Sequence, residues 1–595
     1  MHISEIPLES FPSFQSYLSP PCEKSIFLED CTSAEIISII CEFNNGTASD
    51  IPIVLVKKAA YIIAPHLESL YNRCISTGNF PDILKVGKVT PIYKKDNREN
   101  IENYRPISTL PIFGKIFEKI IYSRLYKFFS SEDVLDDSQF GFRPGHSTVH
   151  AIQHSVNIIN DSHKANKHVL GIFIDLSKAF DTLDHRILME KLYNCGIRGI
   201  AHNLISSYLT DRKQCTKFLN ECSSFEFIEF GVPQGSVLGP LLFLLYINDI
   251  TNSIKDDNCS LVLYADDTNV FVIDINRDAA ITRANVILKR INDLMKSHLL
   301  HINIDKCCFV HFEPPKLYSA RTRGSCARTR TYVRKVDSPK IKLNGDIIKE
   351  LTSTKFLGVI IDNKLSWVPH IEMLHKKLKC ATGILNRISK SIPKENFKSL
   401  YYSLFESHLS YCLTIYGAAN KNQTEKIFRV QKHCMRVLFG NREKYLDKFA
   451  TCARVREFGN QILGSEFFCK ENSKPIFQKL KILAFRNIYN YQACLEVLKL
   501  LKFHRPTLLY KQYSLSQRNN STLVILPHKS KQFTFISSRI WNAAMKHVVR
   551  DSGLTDIKLG SFKQKLKTCL LKIQGKHDGI EWYPLNFKLD SLYTQ

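Results

Sequence analysis

The chain has 595 residues, with 82 Lys and Arg against 56 Asp and Glu, which gives a formal net charge of +26. Such a surplus excludes an acidic protein that handles only small molecules, and it favours a polyanionic partner, nucleic acid above all. With 44% hydrophobic and 23% charged residues, the chain has a globular composition rather than a disordered or fibrous one. Its length is enough for about three to five domains.

No apolar stretch reaches the roughly 18–20 residues that cross a bilayer. The best candidate is Leu241–Ile247, and the N-terminus lacks the basic-then-apolar form of a signal peptide. The sequence therefore predicts an intracellular protein without a membrane partner. The 18 cysteines include no C-x2-C pair, which disfavours a zinc ribbon and indicates reduced thiols. His146 and His150 have no third ligand nearby, so structural or solvent roles are favoured over metal binding.

Both helices and strands are predicted in the first third of the chain, where apolar segments alternate with Pro and Gly between residues 50 and 130. Residues 33–43 and 112–128 have helical patterning, residues 44–49 are typical of a loop, and residues 89–95 are β-branched as strands are. The apolar run 169–174 ends at Asp175, which indicates a buried strand with a carboxylate at its C-terminal end.

A helix is predicted to follow Asp175, with Cys195-Gly196 as its stop signal. Its apolar residues recur at helical spacing and are Phe180, Leu183, Ile187, Leu188 and Leu192. Further on, the apolar runs 261–264 and 270–273 flank a short polar segment, which predicts a β-hairpin with Asp266 and Asp267 at its tip.

The second half begins with a basic segment at 314–340, where Ala-Arg-Thr-Arg occurs twice without a hydrophobic period, as in a low-complexity surface insertion. From residue 370 the pattern is helical, and two predicted helices carry basic residues away from their apolar sides. These residues are Lys376, Lys377 and Lys379 in the first helix, and Arg429, Lys432 and Arg436 in the second. Their faces fit a phosphate backbone, and an ordinary solvated face is an equal alternative.

Paired aspartates are weak evidence alone, since Asp136-Asp137 and Asp256-Asp257 read as solvated loop acids. Asp266-Asp267 differs because apolar strands enclose it. If the strand that ends at Asp175 is its neighbour, three carboxylates converge in an oxygen-rich site suited to Mg²⁺. Two such ions about 3.5–4 Å apart can activate an attacking hydroxyl and stabilise departing phosphate oxygens.

Several blocks resemble, in the same order, those of reverse transcriptases from non-LTR (LINE-type) retrotransposons. Residues 173–181 (FIDLSKAFD), 231–240 (GVPQGSVLGP) and 264–267 (YADD) resemble the three catalytic palm motifs. The other similar blocks are 91–95 (PIYKK) and 103–108 (NYRPIS) of the fingers, 139–148 (QFGFRPGHST) between fingers and palm, and 356–359 (FLGV) of the primer grip. The region after about 441 resembles the C-terminal segment of jockey-like elements.

The resemblance implies a right-hand polymerase: an α/β fold with an α+β palm, fingers, a helical thumb and a mostly helical C-terminal region. The expected bounds are an N-terminal extension at 1–45, fingers at 46–165, a palm at 166–365 with the basic insertion at about 314–340, a thumb at 366–440, and a basic C-terminal region at 441–595. Only about 50 residues precede the fingers, too few for the endonuclease found upstream in many relatives.

The implied activity is RNA-directed DNA synthesis. The primer 3′-hydroxyl would attack the α-phosphorus of a deoxynucleoside triphosphate and release pyrophosphate. Asp175 and Asp266 would be the principal ligands of two Mg²⁺ ions, with Asp267 assisting. Template RNA, a DNA primer and dNTPs would be the partners, and synthesis would take place in the nucleus. A polymerase that copies any sequence must recognise backbone and duplex shape.

The same resemblance gives roles to residues around the incoming nucleotide. Lys94, Lys95 and Arg105 would hold the triphosphate, since cations stabilise transferring phosphates. Phe180 would exclude a 2′-hydroxyl by its bulk, and a core aromatic on the predicted helix is its alternative. Gln234 would contact the nucleotide.

Further residues take roles from their blocks. Gly235, with Gly231, would let the backbone approach the nucleotide. Lys306, near Asn303 in the fourth palm motif, would donate a proton, although Cys307 replaces the usual threonine there. Phe356, Leu357 and Gly358 would form the primer grip.

Two other functions remain open from the sequence. The chain could be a catalytically inactive, nucleic-acid-binding remnant of a mobile element, since the Arg-Thr insertion departs from the family pattern. It could also be an intron-maturase-like protein that aids RNA splicing.

Overall fold

The computed structural model describes residues 13–254, 256–315, 339–439 and 474–510, with short stretches between 512 and 545 and the segment 559–576. The described residues fold into two compact units. Unit 1 takes its residues from 13–144, 166–309 and 339–350, and unit 2 from 145–165, 310–315 and the chain after 350. The predicted basic insertion lies almost wholly outside the described residues, as does the segment 440–473.

The helices include long and short examples. They are α1 Ser33–Glu42, α2 Ile53–Lys58, α3 Ala60–Thr77, α4 Ile112–Ser131, α5 Thr148–Lys164, α6 His185–Asn194, α7 Ile200–Leu209, α8 Leu238–Ile247, α9 Ile250–Ser253, α10 Arg277–Ser297, α11 Val368–Ile388, α12 Phe397–Leu400, α13 Ser407–Ser410, α14 Leu413–Tyr416, α15 Lys421–Phe439, α16 Lys474–Leu480, α17 Phe485–Phe503, α18 Thr507–Tyr510 and α19 Leu559–Lys576.

The strands are mostly short. They are β1 Gly87–Tyr93, β2 Tyr104–Thr109, β3 His168–Ile174, β4 Lys213–Phe218, β5 Glu221–Cys222, β6 Glu226–Phe227, β7 Cys259–Tyr264, β8 Asp267–Asp274, β9 Cys308–Phe312, β10 Lys342–Leu343, β11 Asp346–Ile347, β12 Lys349–Leu351, β13 Ser353–Phe356, β14 Val359–Asp362, β15 Leu515–Ser516 and β16 Asn519–Leu523.

An antiparallel sheet forms the centre of unit 1. Strand β8 pairs with β3 on one side and with β7 on the other, and the full order is β12-β9-β3-β8-β7. From Val169 to Ile174 every residue of β3 is buried, as the continuous apolar run predicts for a strand covered on both faces. The predicted hairpin at 261–273 is confirmed, because Tyr264 pairs with Asp267 across a two-residue turn.

Helix α8 explains the most apolar stretch of the sequence. Every residue from Leu238 to Ile247 is buried except Pro240, and the helix packs against α4 and α6. A helix that is apolar all round belongs in the core of a large protein or in a membrane. Within the described ranges, no helix has the length and apolarity to cross a bilayer.

The helix predicted after Asp175 begins later than its apolar spacing indicated. Asp184 accepts hydrogen bonds from the backbone N–H groups of Arg186 and Ile187, at 2.8 and 3.3 Å, so it caps α6 and the helix starts at His185. The placement of Phe180 and Leu183 on that helix was therefore wrong. Both lie in the preceding loop, where Leu183 is buried and Phe180 stacks on Phe243.

A second sheet of unit 1 carries the two predicted fingers motifs. Strands β1 and β2 form an antiparallel pair in which Ile92 lies opposite Arg105 and Tyr93 opposite Tyr104. The sheet continues through β4, which runs parallel to β1, to β5, and β6 also pairs with β4. The backbone N–H of Lys94 donates to the carbonyl of Asn103 at 2.8 Å, so the pairing extends to the end of the motif.

Unit 2 contains the basic helices. Helix α11 packs against α15 and against β14, which pairs with β13 in a hairpin. The charges of Lys379 in α11 and Lys426 in α15 both lower the pKa of His375, after burial, so cationic groups of the two helices share one region. The protein is a mixed α/β molecule, and the five-part bounds given above remain predictions.

Candidate active site

The three predicted aspartates lie at the same end of the central sheet. Ile174 of β3 pairs with Thr268 of β8, so Asp175 and Asp267 are the next residues along this antiparallel ladder. Asp266 occupies the turn before β8, after Ala265, whose φ of +56° reverses the chain. All three side chains are partly buried.

The electrostatics show that these carboxylates affect one another. Burial, followed by the negative charges of Asp266 and Asp175, raises the pKa of Asp267 to about 6. Burial is also the largest cause of the raised pKa of Asp266; the charge of Asp175 adds to it, and the charges of Lys94 and Arg105 oppose it. Like charges at this proximity disfavour each other's ionisation, so the cluster favours a bound cation.

Lys306 supplies a positive charge to this cluster. Its Nζ lies 2.8 Å from Oδ2 of Asp175, in an ion pair whose side chains are 51% and 34% exposed. The contact depends on a short antiparallel pairing, since the N–H of Asn303 donates to the carbonyl of Asp175 at 2.8 Å and Leu176 bridges to Ile302. The fourth predicted motif therefore lies directly beside the first.

The fingers cations separate into two groups. Lys94 and Arg105 are exposed, and both act on Asp266 through their charge. Lys95 instead lies 3.3 Å from the carboxylate of its neighbour Asp96, with both side chains more than half exposed. The structure thus brings two of the three predicted triphosphate ligands towards the aspartates, and it gives Lys95 a different partner.

Phe180 and Gln234 lie on two loops that are bonded to each other. Phe180 stacks on Phe243 with ring centroids 4.5 Å apart, and its carbonyl accepts from Val232 N–H at 2.9 Å. The Gln234 amide donates to Asp181. Gly235 permits a close approach to β2, because a Cβ there would lie 2.4 Å from the carbonyl oxygen of Ser108.

Gln139 was not recognised in the sequence as a site residue. It is 2% exposed, and its Oε1 accepts from the N–H of Gly141 at 2.8 Å and from that of Ala265 at 3.1 Å. It therefore fixes the turn that bears Asp266. Its position in the QFGFRP block was a signal, but the bond to a residue 126 positions later was not visible in the sequence.

Glu118 is the second residue that the sequence did not reveal. This fully buried carboxylate of α4 accepts from the N–H groups of Val237 and Leu238, at 2.6 and 3.1 Å, where α8 begins. Burial raises its pKa, and the charge of buried Arg212 is the largest opposing effect. Glu118 thus anchors the loop that carries Gln234 and Gly235.

The predicted primer grip belongs to unit 2. Phe356 is buried at the end of β13, and Leu357 and Gly358 form the turn to β14 with φ values of +45° and +85°. The Tyr411 hydroxyl donates to the carbonyl of Leu357 at 2.7 Å. His150, also in unit 2, lies 3.1 Å from Oε2 of Glu496, as the favoured structural role predicts.

The donor set at Asp175, Asp266 and Asp267 consists only of carboxylate oxygens, which fits Mg²⁺ in chemistry. Their side chains are not arranged as a complete coordination site. In the described part of the chain, no three His, Cys, Asp or Glu side chains are spaced to hold a metal ion. One oxygen of Asp175 instead contacts the ammonium of Lys306. The three aspartates therefore suit Mg²⁺ by the type of their donor atoms and by their combined negative charge.

Comparisons with known proteins match the part of the chain that contains most of the motifs. The family model described as reverse transcriptase (RNA-dependent DNA polymerase) matches residues 92–361. The RNA-directed DNA polymerase from mobile element jockey of Drosophila melanogaster is 27% identical over 441 residues, or 72% of this chain and 46% of that protein. The probable RNA-directed DNA polymerase from transposon X-element of the same species is 25% identical over 383 residues, or 63% of this chain and 40% of that protein.

Among solved structures, apo telomerase from Candida tropicalis, truncated from its C-terminal domain, matches with a TM-score of 0.32 and 14% identity. That match covers 51% of this chain and 59% of the telomerase chain. The chain spans less than half the length of the curated relatives named here.

Residues 92–361, with the aspartate cluster at their centre, are a reverse transcriptase domain. This confirms the class that the sequence motifs indicated. In sequence the chain is similar to the jockey and X-element polymerases named above.

Proposed function

We propose that this chain is an RNA-directed DNA polymerase that extends a primer 3′-hydroxyl with deoxynucleoside triphosphates on an RNA template. The grouping of Asp175, Asp266 and Asp267 at one end of the sheet, within the field of Lys94 and Arg105, carries the proposal. Negative ligands for a metal and cations for a triphosphate are what phosphoryl transfer requires. For a retrotransposon enzyme, synthesis would take place in the nucleus.

Asp175, Asp266 and Asp267 would hold two Mg²⁺ ions. When bound there, Mg²⁺ would polarise the phosphate oxygens and make the primer hydroxyl a better nucleophile. Asp267 must be ionised to act as a ligand, and because its pKa without a metal is raised to about 6, protons would compete with Mg²⁺ for this carboxylate as the pH falls towards that value.

The chain's own cations and aromatic residues would position the substrates. Lys94 and Arg105 would orient the triphosphate, with Lys95 at its outer side. Phe180 would leave no room for a 2′-hydroxyl, and Gln234 and Gly235 would line the sugar side. Lys306 would donate a proton to the departing pyrophosphate after its ammonium leaves Asp175.

Unit 2 would hold the template and primer. The turn of Phe356, Leu357 and Gly358 would contact the primer strand, and the basic residues of α11 and α15 would contact phosphates of the duplex. Such contacts are largely independent of sequence, and they weaken as salt increases.

The test is primer extension by purified Asp266→Asn on an RNA template with a DNA primer. We expect a loss of about a thousandfold or more, since a metal ligand of this kind supplies several kcal/mol of charge stabilisation. Template–primer binding should be nearly unchanged, because the phosphate contacts lie elsewhere. Asp257→Asn is the matched control, since Asp257 is an exposed member of a different Asp-Asp pair. Equal extension by Asp266→Asn and the parent would refute the metal assignment. A parent that binds template–primer and fails to extend it would favour the inactive remnant.

A further inference from the structure

A carboxylate outside the metal cluster contacts the residue proposed to meet the nucleotide. Gln234 Nε2 lies 2.9 Å from Oδ1 and 3.1 Å from Oδ2 of Asp181, which is 53 residues earlier in the chain. Both side chains are partly buried. Asp181 is not one of the three aspartates described above.

The backbone around this pair leaves little freedom. Gly231 has a φ of +77°, and a Cβ there would lie 2.7 Å from the carbonyl oxygen of Phe180 and 2.8 Å from Cα of Asp181. Its N–H donates to the carbonyl of Leu183 at 2.8 Å. The two loops are therefore in direct backbone contact, and this contact fixes the separation of Asp181 and Gln234.

The chemistry of the pair sets the direction of the amide. An ionised carboxylate only accepts hydrogen bonds, whereas a glutamine side chain has a donor end and an acceptor end. Asp181 therefore turns Nε2 of Gln234 towards itself. The acceptor, Oε1, is the end left for a ligand.

We propose that Asp181 is a positioning residue that orients the Gln234 amide so that Oε1 accepts a hydrogen bond from the sugar hydroxyl of the incoming nucleotide. The proposal rests on the proposed function. A polymerase that copies any sequence cannot use the base edge for a fixed contact, so the sugar hydroxyl is the donor common to all four dNTPs. Phe180 lies directly before Asp181 on the same loop, and its side chain is the one proposed to exclude a 2′-hydroxyl.

The test is a pair of single variants and their combination, assayed by primer extension with dNTPs. In Asp181→Asn the amide loses its fixed direction, and we expect KM for dNTP to rise about tenfold with kcat changed less than about threefold, the effect of one misdirected hydrogen bond. In Gln234→Glu two carboxylates face each other, and the rise should reach about a hundredfold.

The double variant Asp181→Asn with Gln234→Glu gives the decisive result. It exchanges the two chemical groups, so that the amide at position 181 can donate to one oxygen of the carboxylate at position 234. The other carboxylate oxygen still accepts from the sugar. We expect KM to return to within about fivefold of the parent, a coupling that independent effects would not produce. A double variant whose defect is the product of the two single defects would overturn the proposal.

A 2′,3′-dideoxynucleotide provides a second readout. The parent should discriminate against it because Oε1 then has no donor, and Asp181→Asn should discriminate less. Asp211→Asn is the control, an exposed aspartate at a positive φ that asparagine also tolerates, and its KM should equal the parent's. Unchanged KM in Asp181→Asn, with an active parent, refutes only the role of Asp181. A parent that neither extends the primer nor binds dNTP on a template–primer refutes the proposed function as well.

Discussion

Two hairpins, one in each unit, have turns of the same length and opposite chemistry. Tyr264 pairs with Asp267 in one and Phe356 with Val359 in the other, and each turn has two residues. The first turn bears the carboxylate of Asp266. The second consists of Leu357 and glycine, and it carries no charge.

Each turn is held by one side chain from another part of its own unit, with opposite polarity. Gln139, only 2% exposed, accepts from the N–H of Ala265. Tyr411, 43% exposed, donates to the carbonyl of Leu357. Water can replace the second contact and cannot reach the first. The charged hairpin is therefore held by a buried contact, whereas the contact that holds the apolar hairpin is open to solvent.

The strongest test of this contrast is Gln139→Ala. It leaves the N–H groups of Ala265 and Gly141 without their buried acceptor, which costs about 1–3 kcal/mol for each unsatisfied group. We expect primer extension to fall about 10- to 100-fold, since a displaced Asp266 misplaces the reaction. Extension within about twofold of the parent would show that the turn bearing Asp266 keeps its conformation without Gln139.

The charge of the first hairpin gives the next prediction. The pKa of Asp267 is raised from 3.8 to about 6, so ionising this group costs stability, and that cost appears as the pH rises from 3.8 to about 6. Without divalent cations, Asp267→Asn should raise the free energy of unfolding at about pH 8 by about 1–3 kcal/mol and leave it unchanged below about pH 4. Urea denaturation at both pH values measures this.

The second hairpin supplies a control of opposite sign. Asp362, at the end of β14, accepts from the N–H groups of Ser366 and Trp367, both at 2.9 Å. Asp362→Asn removes an acceptor and should lower the free energy of unfolding by about 1 kcal/mol. Destabilisation by Asp267→Asn under the alkaline condition would contradict the raised pKa.

The smallest expected effect is that of Tyr411→Phe. It removes the hydroxyl that donates to Leu357, and because the tyrosine is exposed, water should limit the loss to about 0.5–1 kcal/mol. Primer extension should change less than about threefold. A defect as large as that of Gln139→Ala would show that both turns depend on their side-chain hydrogen bonds.

The secondary structure that depends on local sequence patterns could be predicted from the sequence. The apolar runs identified β3 and the hairpin of β7 and β8, because buried strands are read from short stretches. Phe180 and Leu183 were misplaced because residues packed from a loop can imitate helical spacing. Asp184, a good N-cap residue before His185, was the available signal.

The contacts of Gln139 and Glu118 could not be predicted in the same way. Each is a polar side chain buried by tertiary packing and bonded to backbone more than 100 residues later. The sequence could predict that Asp175 lies near Asp267 only if their strands were assumed to be neighbours. Strand order depends on the tertiary fold, which local patterns do not reveal. Whether these residues perform the proposed roles is a prediction for the assays above.

Gly141 shows how narrow the tolerance around the charged turn is. A Cβ at this position would lie 2.3 Å from the nitrogen of Ala265, well inside the distance at which atoms repel. Replacement by alanine would place a methyl group against the backbone of Tyr264 and Ala265. Backbone atoms cannot move aside as the end of a flexible side chain can. Among related sequences, the residue at position 141 would then indicate whether the turn that bears Asp266 can keep this conformation.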